Sequence, residues 1–151
     1  MPGGAIAVAS DHAGFDLKEI LKRDLQEAGH DVLDLGTNST QSVDYPDFGI
    51  AMGEAIASGK AERGVLVCGS GIGISIAANR NPKVRAVLAY DATSARLARE
   101  HNDANVVAFG QRVIGIETAR EALKVFLNTR WEGGRHAGRV AKLSKAELSK
   151  G

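Results

Sequence analysis

The sequence predicts one α/β domain built on a five-stranded parallel sheet with helices on both faces. Short β-branched apolar runs alternate with segments of helical period along the whole chain. The runs are apolar almost throughout, as in strands covered on two sides. The 151 residues, 44% hydrophobic and 25% charged, suffice for one core without metal or disulfide.

The elements follow in order. Residues 5–9 read as a buried strand ending at Ser10-Asp11. Leu17, Ile20, Leu21, Leu25 and Ala28 then mark one face of a helix that Gly29 ends. Residues 31–35 form a second strand, closed by Gly36, and 37–42 a polar loop. Pro46 suits the first turn of a helix carrying Phe48, Ala51, Met52, Ala55 and Ile56. Strand 64–68 leads to a short helix, 74–80, stopped near Pro82; strand 84–89 leads to helix 92–101. Strand 105–109 precedes a helix marked by Ile116, Ala119, Leu123, Phe126 and Leu127. A glycine break at 132–134 opens a last amphipathic segment around Val140 and Leu143. No repeat or linker divides the chain, so 1–151 is expected to be a single domain.

Charge and composition exclude several functions. Lys and Arg number 19 against 18 Asp and Glu, a net charge of +1. Nucleic acid or an anionic membrane as main partner needs a basic surplus. No apolar run approaches a bilayer span, and residues 1–4 lack secretory-signal features. One cysteine cannot form an internal disulfide, which suits a reducing compartment; the expected location is the cytoplasm. From Arg130 onward the chain carries six basic and two acidic residues, an uneven basic tail.

In parallel sheets ligands sit beyond the carboxyl ends of the strands. That singles out Ser10-Asp11-His12, the stretch 68–73, Tyr90-Asp91 and Gly110-Gln111-Arg112. Gly69-Ser70-Gly71-Ile72-Gly73, between strand and helix, can present amides to an anion. It is equally a tight connection, and it matches neither the dinucleotide fingerprint (Ile74 replaces the third glycine) nor the Walker pattern. Cys68 sharpens the reading. A free cysteine is usually a small core hydrophobe, but at a strand end facing amides and a helix start it suits a nucleophile or a general base. Asp11 alone would be a helix cap, and His101 lies near a predicted helix end that favours a cation anyway. The four histidines (His12, His30, His101, His136) and Cys68 contain no close-spaced ligand pair, so neither metal nor cofactor is expected. Arg135 and Arg139, four apart, share a face if helical, which suits phosphate as well as a solvated basic face. Together these groups suit proton abstraction beside a carbonyl on a small phosphorylated substrate. The rival reading is a nucleotide-binding regulatory module with Asp91 on a ribose hydroxyl, which Ile74 argues against.

Six ordered motifs carry a resemblance over nearly the whole chain. They are Ser10-Asp11-His12-Ala13-Gly14-Phe15, Asp44-Tyr45-Pro46, the stretch 68–79, His101-Asn102-Asp103-Ala104-Asn105, Phe109-Gly110-Gln111-Arg112-Val113 and Glu132-Gly133-Gly134-Arg135-His136. The chain resembles the ribose-5-phosphate isomerase B family, within the ribose/galactose-type sugar-phosphate isomerases. The resemblance implies a Rossmann-like three-layer α/β/α fold, no metal and a homodimer or dimer of dimers. It also implies interconversion of D-ribose 5-phosphate and D-ribulose 5-phosphate through an enediolate, in the pentose phosphate pathway. Cys68 matches the base; another branch places a Glu where this chain has Ile74. His101 matches the ring-opening group, with Asp11 and Tyr45 nearby. Ser70, where many members have Thr, matches the hydroxyl that relays protons between O1 and O2. Amides around Gly69, Gly71 and Gly73 would hold the enediolate oxygen, and Asn102 the sugar hydroxyls. His12, Arg112, Arg135 and Arg139 match phosphate-binding positions, and the 130–151 arm is expected at a subunit interface. Allose- or galactose-6-phosphate isomerases would share this constellation.

Overall fold

Five parallel strands run β1 (Ala5–Ser10), β2 (Val32–Asp34), β3 (Ala61–Cys68), β4 (Ala86–Leu88) and β5 (Val106–Gly110), ordered β2-β1-β3-β5-β4 across the sheet. The structure is a computed structural model that describes residues 4–145; the expected tail beyond 145 lies outside the described residues. The helices are α1 (Phe15–Glu27), α2 (Tyr45–Ala57), α3 (Ile72–Asn79), α4 (Ala92–Asn102), α5 (Ile116–Asn128) and α6 (Ala137–Lys145).

Strand side chains alternate between faces, and each set finds its own helices. Val8, Val65, Val67, Val107 and Phe109 pack with Leu21 of α1, Ala95 of α4 and Phe126 of α5. Ala7, Ala9, Leu66, Cys68, Val106 and Ala108 pack with Met52 of α2 and Ile74 of α3. This is the expected three-layer α/β/α arrangement. The two-sided burial accounts for the uninterrupted apolar runs of the central strands.

Differences from the sequence expectation lie at element ends. α3 begins at Ile72 rather than 74, so the glycine stretch runs straight into its first turn. β4 is three residues long instead of six: before it the Asn105 side chain takes the place of ladder partners, while Asn79 occupies its open edge. Asn79 Oδ1 accepts from the Ala86 amide (2.8 Å) and its Nδ2 donates to Ala86 O (3.0 Å). Asn105 does the same for the amide of Arg85 (2.8 Å) and the carbonyl of Lys83 (2.9 Å). The Asn79 amide pairs backbone groups of edge strand β4 that would otherwise be open to another chain.

A buried charge anchors the opposite edge. Lys18 of α1 is fully buried. Its Nζ donates to both Asp34 carboxylate oxygens (2.9 and 3.1 Å) and to Thr37 O (2.7 Å), and it lies 3.1 Å from Glu19 Oε2. Asp34 Oδ1 in turn accepts from the Gly36 amide, and Oδ2 from Lys22. Burial by itself would raise the Asp34 pKa, but the hydrogen bonds from Lys18, Lys22 and the Gly36 amide outweigh it and hold the carboxyl below its ordinary range. The network ties down the loop after β2, which carries Val43 and leads to Tyr45.

A carboxyl depressed in the folded state stabilises fully above its unfolded pKa, and that stability is lost as pH falls through the folded value. Asp34→Asn should cost about 3 kcal/mol near neutrality, the low end for breaking a buried pair because Glu19 still faces the ammonium. Urea titrations from pH 7 down to pH 2 should show a flatter acid limb for the variant. An unchanged midpoint at pH 7 would refute the role.

Candidate active site

The chain leaves β1 toward β2, then returns past β1 to place β3 on its other side. The carboxyl ends of β1 and β3 therefore flank a crevice. Most of the expected site residues gather there.

Cys68 is the last residue of β3, and the Gly71 amide donates to its Sγ at 3.1 Å. Gly71 occupies left-handed backbone, φ 80°, at the N-cap of α3. A Cβ there would lie 2.5 Å from Leu88 Cδ1 and 2.8 Å from Phe109 C, so both conformation and space require glycine. The loop after β5 is fastened to the same turn: Gln111 N donates to Cys68 O (2.9 Å) and Arg112 N to Gly69 O (3.0 Å). The Ser70 hydroxyl accepts from the Ile72 amide (3.2 Å). The first-turn amides of Gly73 and Ile74 have no intrahelical acceptor and face outward from the helix start.

The Gly71 amide thus points at the sulfur of Cys68, the residue that the resemblance makes the base. A Cβ on Gly69 would lie 3.0 Å from Arg112 Nη1, and one on Gly73 2.5 Å from Tyr45 Cε1. The Arg112 guanidinium and the Tyr45 ring thus lie directly against the glycine turn.

Asp11 and His12 enter from β1. Asp11 Oδ1 accepts from the Gly14 amide (3.1 Å), so this carboxylate caps the 3₁₀ turn His12–Gly14. His12 Nδ1 lies 3.1 Å from the Val43 amide nitrogen. The same Nδ1 lies 3.2 Å from the Val43 carbonyl oxygen, so either tautomer is held by the Val43 main chain and Nε2 is left facing away from it. Val43 carries no chemistry of its own, and nothing in its type or spacing marks it in the sequence.

His101, Asn102, Arg135 and Arg139 are elsewhere. α4 runs antiparallel to the strands, so its last residues, His101 and Asn102, lie where β5 begins, whereas Cys68 pairs with Gly110 at the other end of β5. The length of that strand, on the order of 15 Å, separates the two sets within one chain. Arg135 is exposed in the 3₁₀ turn Gly134–His136, and Arg139 is exposed on α6. They therefore do not share one continuous α-helix. The positive φ values of Gly133 (64°) and Gly134 (53°) turn the chain first.

Asp91 N-caps α4, accepting from the Ser94 amide at 2.7 Å; that bond and the Ser94 hydroxyl hold its carboxyl below the ordinary range. Its Oδ1 serves the helix start, a structural task that accounts for an acid at this position without a nucleotide. The absence of a ligand set fails as a spacing argument. His101, Glu132 and His136 place one nitrogen or carboxylate oxygen each within 4.8 Å of one another. The signal was available in sequence as Glu132 and His136 four apart, had carboxylates been counted with the histidines.

No helix among the described residues is long and apolar enough to cross a membrane. Residues 6–143 match the ribose/galactose isomerase family. The ribose-5-phosphate isomerase B of Escherichia coli (strain K12) is 44% identical over 142 residues, covering 94% of this chain and 95% of that protein. Among solved structures, ribose-5-phosphate isomerase B of Clostridium thermocellum superposes with a TM-score of 0.94 at 45% identity, covering 95% of this chain and 97% of that one. A ribose 5-phosphate isomerase from Thermotoga maritima gives 0.92 at 46% identity, covering 94% and 98%. A match this complete, in sequence and in backbone, means that the chain belongs to the ribose/galactose isomerase family.

Proposed function

We propose that this protein is an aldose–ketose isomerase that interconverts D-ribose 5-phosphate and D-ribulose 5-phosphate through an enediolate. The observation that carries the reading is the Cys68 sulfur at the switch-point crevice, receiving the Gly71 amide at 3.1 Å beside the first turn of α3. The family membership supplies the substrate class.

In this mechanism His101 opens the sugar ring by moving a proton to the ring oxygen. The Cys68 thiolate takes the proton from C2 while the carbonyl oxygen becomes an oxyanion, and the same sulfur returns the proton to C1. The C–H bond is a weak acid, so the oxyanion must be met as it forms; the outward amides near Gly69 and Gly73 are the donors in reach. Ser70 carries the proton between O1 and O2. Asp11 and Tyr45 line the ring-opening side, and Asn102 holds sugar hydroxyls. His12, Arg112, Arg135 and Arg139 bind the phosphate, for which guanidinium forks are suited.

Cys68 and His101 stand at opposite edges of one chain, so a complete site needs a second copy. An exposed apolar surface beside the glycine turn, with Tyr45, Ile50, Ile72 and Ile76 about half exposed, supports such pairing. A homodimer, alone or doubled, would complete two sites at once. The setting would be the cytoplasmic pentose phosphate pathway.

Cys68→Ser changes little volume and should fold, yet lower kcat on ribose 5-phosphate by about 10²- to 10⁴-fold, because a hydroxyl is scarcely ionised at pH 7. Iodoacetamide labelling of Cys68 should be blocked by substrate. Near-normal turnover of Cys68→Ser would overturn the assignment. Assay on allose 6-phosphate and galactose 6-phosphate alongside fixes the preferred sugar.

Mixing inactive Cys68→Ser and His101→Asn proteins tests the shared site. With random exchange half the dimers are mixed and each mixed dimer rebuilds one native site, so activity should return to about a quarter of wild type. Mixed dimers verified by native mass spectrometry without recovered activity would show sites built within one chain.

A further inference from the structure

The most unusual side-chain cluster lies at the strand-start edge, away from Cys68. The imidazoles of His101 and His136 are stacked, with centroids 4.5 Å apart and planes 18° from parallel. The His136 side chain is only 7% exposed, and its Nε2 has no hydrogen-bond partner among the described residues. Glu132 Oε1 lies 3.3 Å from that nitrogen but outside hydrogen-bond alignment, on a side chain that is 45% exposed. A buried ring nitrogen left without a partner carries a desolvation cost, which an ordinary structural histidine avoids.

We propose that His101, Glu132 and His136 form a binding site for a divalent transition-metal ion of the zinc type, whose occupancy immobilises the His101 imidazole and inhibits the enzyme. Two imidazole nitrogens and one carboxylate oxygen suit Zn²⁺ and leave a fourth position open. The three candidate ligand atoms lie within 4.8 Å of one another. Bonds of about 2.0–2.2 Å in tetrahedral geometry need ligand atoms roughly 3.4 Å apart. Imidazole lone pairs lie in the ring planes, so the half-buried His101 ring must turn out of its stack on His136 before both can hold one ion. Glu132 closes the remaining distance, being half in solvent and followed by Gly133 and Gly134, both at positive φ. His136, locked by burial, supplies the rigid ligand. The ion binds through the ring lone pairs, displacing any proton held there, and no electron is transferred. An imidazole nitrogen held by the ion can neither give nor take the proton that ring opening requires.

The binding claim stands on the cluster alone, whereas the inhibition rests on the proposed ring-opening role of His101, and the two are tested apart. Binding is measured on the full-length Cys68→Ser protein, which removes the thiolate as a competing ligand. Zinc chloride titrated in a calorimeter should bind at one ion per chain, and Co²⁺ should give visible absorption of a four-coordinate site. Glu132→Gln, a surface change that leaves the buried ring in place, should weaken binding at least roughly tenfold; His136→Asn, with folding checked by circular dichroism, should do the same. No zinc binding by Cys68→Ser, or binding unchanged by Glu132→Gln, overturns the site.

On wild type, Zn²⁺ should inhibit turnover of cyclic ribose 5-phosphate, EDTA should restore it, and an open-chain substrate analogue should be spared. Inhibition that persists undiminished in Glu132→Gln would overturn the regulatory claim, placing the effect at Cys68. Zinc bound at the site with ring-closed turnover unaffected would overturn the ring-opening role of His101 and leave the site standing.

Discussion

Every strand of the sheet points the same way, and the placement of every polar group with chemistry follows from that constraint. Right-handed crossovers return each chain segment antiparallel to the strands, so strand ends and helix starts share one edge while helix ends and strand starts share the other. Cys68, Asp11, His12, Tyr45 and Arg112 belong to the first edge. His101, Asn102, Glu132 and His136 belong to the second, because α4 and α5 both finish there. No rotamer change can bring the two sets together within a chain. In the proposed dimer the separation is an advantage, since a two-fold pairing closes both halves simultaneously.

At the first edge the site is shaped by backbone in contact with backbone. A Cβ on Gly110 would lie 2.4 Å from Ser70 O, one on Gly14 2.4 Å from Val67 O, and one on Gly71 2.8 Å from Phe109 C. The ends of β3 and β5 and the first turn after β1 therefore interlock with almost no side chain between them. That contact sets the Cys68 sulfur against the Gly71 amide, and the precision comes from packed main chain rather than from long, flexible side chains. It also gives a use to a composition rich in glycine and poor in aromatics.

The remaining approach to the crevice is held electrostatically. Lys18 is worth little as a net stabiliser, since a buried pair barely repays its desolvation. Its three bonds to Asp34 and Thr37 nevertheless commit the segment from Asp34 to Thr37 to one path. That path delivers Val43 to His12 and Tyr45 to Gly73. A well-packed apolar residue at position 18 could bury as much surface but could not hold the Thr37 carbonyl. The charge thus serves position more than stability, and the two sides of the crevice are organised by different forces.

The alternation of strands and helices was legible in the sequence because periodicity is a local property: residues 5–9, 64–68 and 105–109 show burial on both faces without reference to any other segment. Cys68 and its glycine turn were legible for the same reason, being adjacent in the chain and bounded by recognisable elements. Three features were not. The late start of β4 depends on Asn105 reaching the main chain of Lys83 and Arg85 across 20 to 22 residues. The buried Lys18 lies on a helix whose apolar spacing passes over it, and its partner Asp34 is sixteen residues away. The stacking of His101 on His136 requires two helices and a glycine turn to converge. Sequence by itself determined the fold class, the crevice at the strand ends and the thiol within it, since each rests on near neighbours. Only the tertiary structure decided that His101, Asn102 and Arg135 stand apart from that thiol, because the edge a residue reaches depends on the direction of its helix relative to a sheet assembled from the whole chain.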